Sequence, residues 1–151
     1  RLSDAVYDST SVASVGVAAH EAGHAVQHAV GYFPIRLRSA IIQLTQFGSM
    51  AAFPLILLGL VFNSTSFIYV GILAFALSTV FQLVTLPVEL DASRRALAAI
   101  RERNLLYEDE YPMAKKTLTA AAMTYGAALA VSLAQLLRLL LLFGGRGRDD
   151  R

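Results

Sequence analysis

The chain has 151 residues, 56% of them hydrophobic and 16% charged, with a mean hydropathy of +0.54 and a formal charge of +2. That length suits one domain, and the long apolar runs with so little charge exclude an ordinary soluble globule and point to a mainly α integral membrane protein. The weak, scattered positive charge argues against a nucleic-acid partner, and the absence of cysteine excludes disulfides and thiolate metal sites.

Arg1 opens the chain with neither an initiator methionine nor a signal-peptide pattern, so a natural N-terminal segment is expected ahead of it. Over residues 1–10, Leu2, Val6 and Tyr7 suit a short edge strand, of the kind that holds an extended substrate by main-chain hydrogen bonds, or equally a loop. Ser9, Thr10 and Ser11 offer N-caps for a helix over residues 11–31 that stops at Gly31.

That helix carries every histidine in the chain: His20, His24 and His28. His20 and His24 bracket Glu21 in the order His-Glu-x-x-His. Residues four apart on a helix are offset by only about 40° and by about 6 Å along the axis, so both rings face the same way. Two imidazoles so placed can bind zinc, with Glu21 in reach of a water at an open coordination position, as in a zincin-type metallopeptidase. A chain of this length shows the pattern by chance well under about one time in a hundred. The bland alternative is a helix with half-buried, hydrogen-bonded histidines, but the surrounding Ala18, Ala19, Ala22, Gly23, Ala25 and Val26 offer nothing to satisfy them. His28 is rotated a further 40° or so from His24, which suits a place at the rim better than ligation.

Gly31 to Pro34 break the helix, and Arg36 and Arg38 mark a water-facing boundary. Residues 39–62 are nearly all apolar and long enough to cross about 30 Å of hydrocarbon, with a bend expected near Pro54. An uncharged turn from Asn63 to Ser66 leads to a second span over 67–87. The hairpin returns the chain to the side it left, where a helix over 88–103 carries Glu89 and Asp91. With no cysteine and no fourth histidine, the third zinc ligand is one of these carboxylates unless His28 serves. The carboxylate that does not bind metal would pair with Arg94 or Arg95. A third span covers 117–143, interrupted near its end by Arg138, and 144–151 read as a polar tail.

Nine basic residues fall on the metal side: Arg1, Arg36, Arg38, Arg94, Arg95, Arg101, Arg103, Lys115 and Lys116. None lies in the hairpin turn, while Arg146, Arg148 and Arg151 sit on the opposite tail. This imbalance places the metal site on the cytoplasmic side of a multi-pass protein.

The segments Leu2 to Tyr32, containing His-Glu-Ala-Gly-His-Ala-Val-Gln, and Leu83 to Ala96, containing Leu-Pro-Val-Glu-Leu-Asp-Ala-Ser-Arg-Arg, resemble the YugP-like bacterial neutral zinc metallopeptidases, relatives of the gluzincins. The resemblance covers nearly the whole chain. It implies a bacterial inner-membrane protease with His20, His24 and Glu89 as ligands to one zinc ion per chain and Glu21 as general base. Its implied partners are the lipid bilayer and a peptide or membrane-protein substrate, with oligomeric state left open. Gluzincins commonly place an aspartate four residues after the third ligand to orient a histidine; here that position is Ser93, leaving Asp91 or another group for the role. No motif marks an oxyanion stabiliser, and Tyr125, Arg94 and Arg95 are the candidates. Two rival readings stand beside this one. A site-2-type intramembrane zinc protease would use Asp91 as ligand, whereas a non-catalytic membrane scaffold that merely holds zinc would have no use for Glu21.

Overall fold

The computed structural model describes residues 2–144, and all regular structure among them is helical. In chain order the elements are α1 (Asp4–Tyr7), α2 (Val12–Ala29), α3 (Phe33–Val61), α4 (Thr65–Glu102) and α5 (Tyr111–Phe143). Residues 1–10, which suit an edge strand or a loop by sequence, instead contain the single turn α1. Asp8 N–H closes onto the Asp4 carbonyl at 3.1 Å, and no second strand is present among the described residues to pair with an extended segment. Beyond Gly144, the expected tail lies outside the described residues.

Helix α2 starts where its cap chemistry requires. The Ser11 hydroxyl accepts from the Ser14 backbone N–H at 3.2 Å, satisfying one of the donors that a helix N-terminus leaves over. Its other end closes with paired bonds from Gly31 N–H to His28 carbonyl (3.2 Å) and from Tyr32 N–H to Gln27 carbonyl (2.9 Å), with Gly31 at φ 67°. This is a Schellman cap. The same pairing ends α3 at Asn63 and α4 at Asn104, both at φ 48°, since asparagine tolerates the left-handed region better than most side chains. Pro34 and Pro112 sit in the first turns of α3 and α5, where a missing N–H costs nothing.

The second span and the helix of the third ligand, expected as separate segments on either side of Pro87, form one uninterrupted 38-residue helix. Proline removes one helical hydrogen bond, but this does not end a helix held by packing on both sides. Thr85, Val88 and Glu89 around Pro87 are all buried. At 1.5 Å per residue α4 is about 57 Å long, so it can cross a hydrocarbon layer of about 30 Å and still extend several turns beyond. Helices α3, α4 and α5 are each long and apolar enough to cross a membrane, and Pro54 lies within α3 without interrupting it.

The chain forms two compact units. The first comprises Arg1–Arg36 and Thr85–Gly126, the second Leu37–Val84 and Ala127–Arg151. The core of the first is Ala19, Ala96, Ile100, Ala114 and Leu118, with Val12, Leu97, Leu106 and Tyr111 packed against it. The second is built on Ile56, Ile68, Ile72 and Leu139. It also contains a buried hydroxyl pair, Thr79 to Ser132 at 2.7 Å, of the sort that joins helices where no water competes. Among its described residues only Arg38 and Arg138 are charged, whereas the first unit carries both charge signs throughout.

In the first unit α2 and α4 approach backbone to backbone at Gly23. A Cβ there would lie 2.6 Å from the Ala92 carbonyl oxygen, closer than atoms can sit. Gly16, two turns earlier, has room: a Cβ would meet only the Leu118 side chain, at 4.0 Å. Gly23→Ala should therefore force α2 off α4 and destabilise the chain by about 1–3 kcal/mol. Gly16→Ala should instead stabilise it by up to about 1 kcal/mol through helix propensity. Thermal melts of the two variants in detergent micelles check the opposite signs.

Candidate metal centre

The backbone contact at Gly23 and Ala92 lets short side chains from α2 and α4 meet. His20 and His24 come from consecutive turns of α2, with ring centroids 4.7 Å apart and planes at 85°. Opposite them stands Glu89 of α4, only 3% exposed. Its Oε2 lies 3.1 Å from His20 Nε2 and 3.5 Å from His24 Nε2.

One nitrogen from each ring and one Glu89 oxygen all lie within 4.8 Å of one another, a group that could hold a metal ion. Ligand bonds of 2.0–2.2 Å in a tetrahedron put neighbouring donor atoms about 3.4 Å apart, close to the two spacings seen here. Two imidazole nitrogens and one carboxylate oxygen also match the donor set of catalytic zinc, which leaves a fourth position for water. The residues present fit the ion.

Further contacts hold each ring by its other nitrogen. Ser93 Oγ lies 3.1 Å from His20 Nδ1, and Gln27 Oε1 lies 2.9 Å from His24 Nδ1. Ser93 is one helical turn from Glu89, so a hydroxyl stands where the gluzincin resemblance would have placed an aspartate. Gln27 is fully buried, and its Nε2 donates to the Val88 carbonyl at 2.8 Å and to Asp91 Oδ2 at 2.9 Å. Asp91 Oδ2 also accepts from Arg95 Nε at 2.7 Å. Sequence reasoning gave Gln27 no role. The signal was its position three residues after His24, on the neighbouring turn of the same helix face.

The remaining candidates fall elsewhere. Glu21, one residue on from His20, is exposed, as is His28 near the end of α2, which is not in the metal-holding group. Arg95 is engaged by Asp91, while Arg94 and Tyr125 are exposed on α4 and α5.

The Glu89 carboxylate, hydrogen-bonded to His24, holds that ring's pKa above its ordinary 6.5. Burial works in the opposite direction, and the Gln27 contact and the Glu21 charge reinforce the rise.

Residues 1–144 match the model of a family described as "Putative neutral zinc metallopeptidase". The "Putative membrane protease YugP" of Bacillus subtilis (strain 168) is 42% identical to this chain over 150 residues, covering 99% of the chain. The chain spans 66% of that relative's length, just under two thirds. No solved structure matches the chain.

The raised His24 pKa has a testable sign. In the metal-free chain the protonated His24–Glu89 pair contributes stability that is fully present below pH 6.5 and is lost as pH rises through the higher folded-state value. Metal binding needs the ring proton-free, so zinc affinity should rise across the same window. Metal-free chain should melt higher near pH 6 than near pH 8, and chelator-competition titrations should show zinc binding tighter near pH 8.

Proposed function

The chain belongs to this family of zinc metallopeptidases, and we propose on that premise that it is a zinc-dependent endopeptidase acting on peptide bonds at a membrane surface. The observation that carries the proposal is the convergence of His20, His24 and Glu89 beside an exposed Glu21. His20 and His24 offer the lone pairs of neutral rings, and Glu89 adds the anionic ligand to one ion per chain. Asp91 is disfavoured as the third ligand, because its Oδ2 already accepts from Gln27 and Arg95 and it lies outside the group that could hold the ion.

When bound, zinc supplies a Lewis acid and lowers the pKa of a coordinated water towards neutrality. Glu21 sits about 100° around α2 from His20, out of the ligand row and open to solvent. In our reading its carboxylate takes a proton from the attacking water and returns it to the leaving amine nitrogen as the C–N bond breaks. A scaffold that merely retains zinc gives no reason for that carboxylate.

The setting narrows the substrates. The unit holding the site is rich in charge, whereas the described residues of the other unit, 37–84 and 127–144, carry only two charges. A charged site-bearing unit on a chain with three apolar helices long enough to span suits cleavage at the membrane surface over cleavage within the hydrocarbon. Membrane proteins and their exposed loops are then the accessible substrates, which fits a role in membrane-protein quality control. Arg36, Arg94, Arg95, Arg101, Arg103, Lys115 and Lys116 belong to the site-bearing unit, and the turn between α3 and α4 carries no basic residue. By the positive-inside bias the site faces the cytoplasm of a bacterial inner membrane.

Glu21→Gln should leave zinc binding intact and lower the rate on casein or a quenched peptide by about 10²- to 10⁴-fold, the usual loss on removing a general base. Glu89→Gln should lose both zinc and activity, while His28→Ala should keep both. Metal content by elemental analysis beside peptide-cleavage rates checks all three. A Glu21→Gln variant as active as wild type would rule out the assigned base.

A further inference from the structure

We infer that Gln27, oriented by the Asp91–Arg95 pair, is a positioning residue that fixes the tautomer of His24 and thereby sets metal affinity. The inference rests on the zinc reading above and deepens it.

The hydrogen bonds leave the Gln27 amide one consistent orientation. Its two closest α4 partners, the Val88 carbonyl at 2.8 Å and Asp91 Oδ2 at 2.9 Å, only accept, so both must receive N–H bonds from Nε2. The amide oxygen is then the atom facing His24 Nδ1 at 2.9 Å, and that nitrogen must carry the proton. A neutral imidazole protonated at Nδ1 presents its lone pair at Nε2, the atom turned towards Glu89. One buried amide therefore selects the ligating tautomer.

The amide cannot easily turn over. Gln27 has no exposed surface, and its backbone carbonyl is fixed by the Schellman bond from Tyr32 N–H at 2.9 Å. Asp91 is held in turn by Arg95 Nε at 2.7 Å on the same helix. Val88 adjoins Glu89, so the side chain that orients one ligand is bonded to the backbone beside another. Asp91 thus bears on the metal through Gln27.

Sequestering a proton-bearing nitrogen in this way predicts a reciprocal pattern of variants. Gln27→Glu still offers His24 an acceptor, but it turns a second acceptor on Val88 and Asp91 and removes the donor they need. Asp91→Asn supplies an amide that can donate to the new carboxylate. Asp91→Ala removes the anchor, together with the Arg95 pairing, at a half-buried position outside the group that could hold the ion.

The test is zinc affinity, measured on the full chain in detergent micelles by chelator-buffered titration, with the metal-free melting temperature recorded for each variant. Gln27→Glu and Asp91→Ala should each weaken zinc binding by about 10- to 100-fold, the usual effect of losing an outer partner of a ligand. The double variant Gln27→Glu/Asp91→Asn should bind several-fold tighter than Gln27→Glu. Should Gln27→Glu fail to fold, Asp91→Ala decides. Wild-type affinity in Asp91→Ala, or a folded double variant binding no tighter than Gln27→Glu, would overturn the inference while leaving zinc binding by the wild type in place. A wild type that binds no zinc would remove the proposed function along with it.

Discussion

A carboxylate that is 3% exposed and wedged between two imidazoles is the constraint on which this structure turns. A buried charge is costly unless a partner compensates it, and breaking such a pairing leaves the charge stranded. Glu89 has two routes to compensation: a proton on His24, or a cation shared by all three groups. The first explains why the ring's pKa stands above its ordinary value in the metal-free chain. The second needs both rings proton-free at Nε2. A metal bound there would compete with protons for one set of lone pairs, and the Gln27 contact at Nδ1 of His24 favours the arrangement a metal requires.

The surrounding fold can be understood as what that wedge demands. Short side chains on α2 reach a short side chain on α4 only if the helix backbones nearly touch, and Gly23 against Ala92 provides the contact. The buried residues of α4 in this unit form one stripe of Thr85, Val88, Glu89, Ala92, Ser93, Ala96 and Ile100. Ala92 lies against Gly23, and Val88 and Glu89, about a turn before it, meet Gln27, His20 and His24. The stripe also explains why Ser93, and not a longer aspartate, faces His20: a buried residue next to Ala92, where the two helix backbones meet, has little room beyond a hydroxyl.

Much of this was legible in the sequence, and the parts that were not have physical causes. The metal helix could be read because its caps, its His-Glu-x-x-His spacing and its glycine stop are local signals. The apolar spans were visible because length and hydropathy suffice to mark them. Glu89 and Asp91 could not be separated by distance along the chain, since residues two apart on a helix point about 200° apart and either face might have met α2. Ala92, Ser93 and Ala96 are buried small residues on the face of α4 that meets α2, and Glu89 is buried with them while Asp91 is only half-buried. Residues 1–10 were misjudged because a few apolar residues fit a strand and a helical turn alike, and Pro87 was given too much weight as a helix end. Gln27 went unread because a glutamine carries no metal signature; its meaning appears only when both of its donors and its acceptor are seen occupied at once.

The helical period also separates the roles of neighbouring residues in the motif. His20 and His24 share the face turned to α4 and are half-buried, whereas Glu21, rotated about 100°, stays in solvent. Ligands gain from burial, because a low-dielectric setting fixes their geometry and strengthens their pull on a cation. Glu21, the proposed base, would gain from access to water and substrate. Gln27, further along the same helix and fully buried, serves the ligand side of this division. One helix thus carries a half-buried pair of imidazoles and an exposed carboxylate with no loop between them.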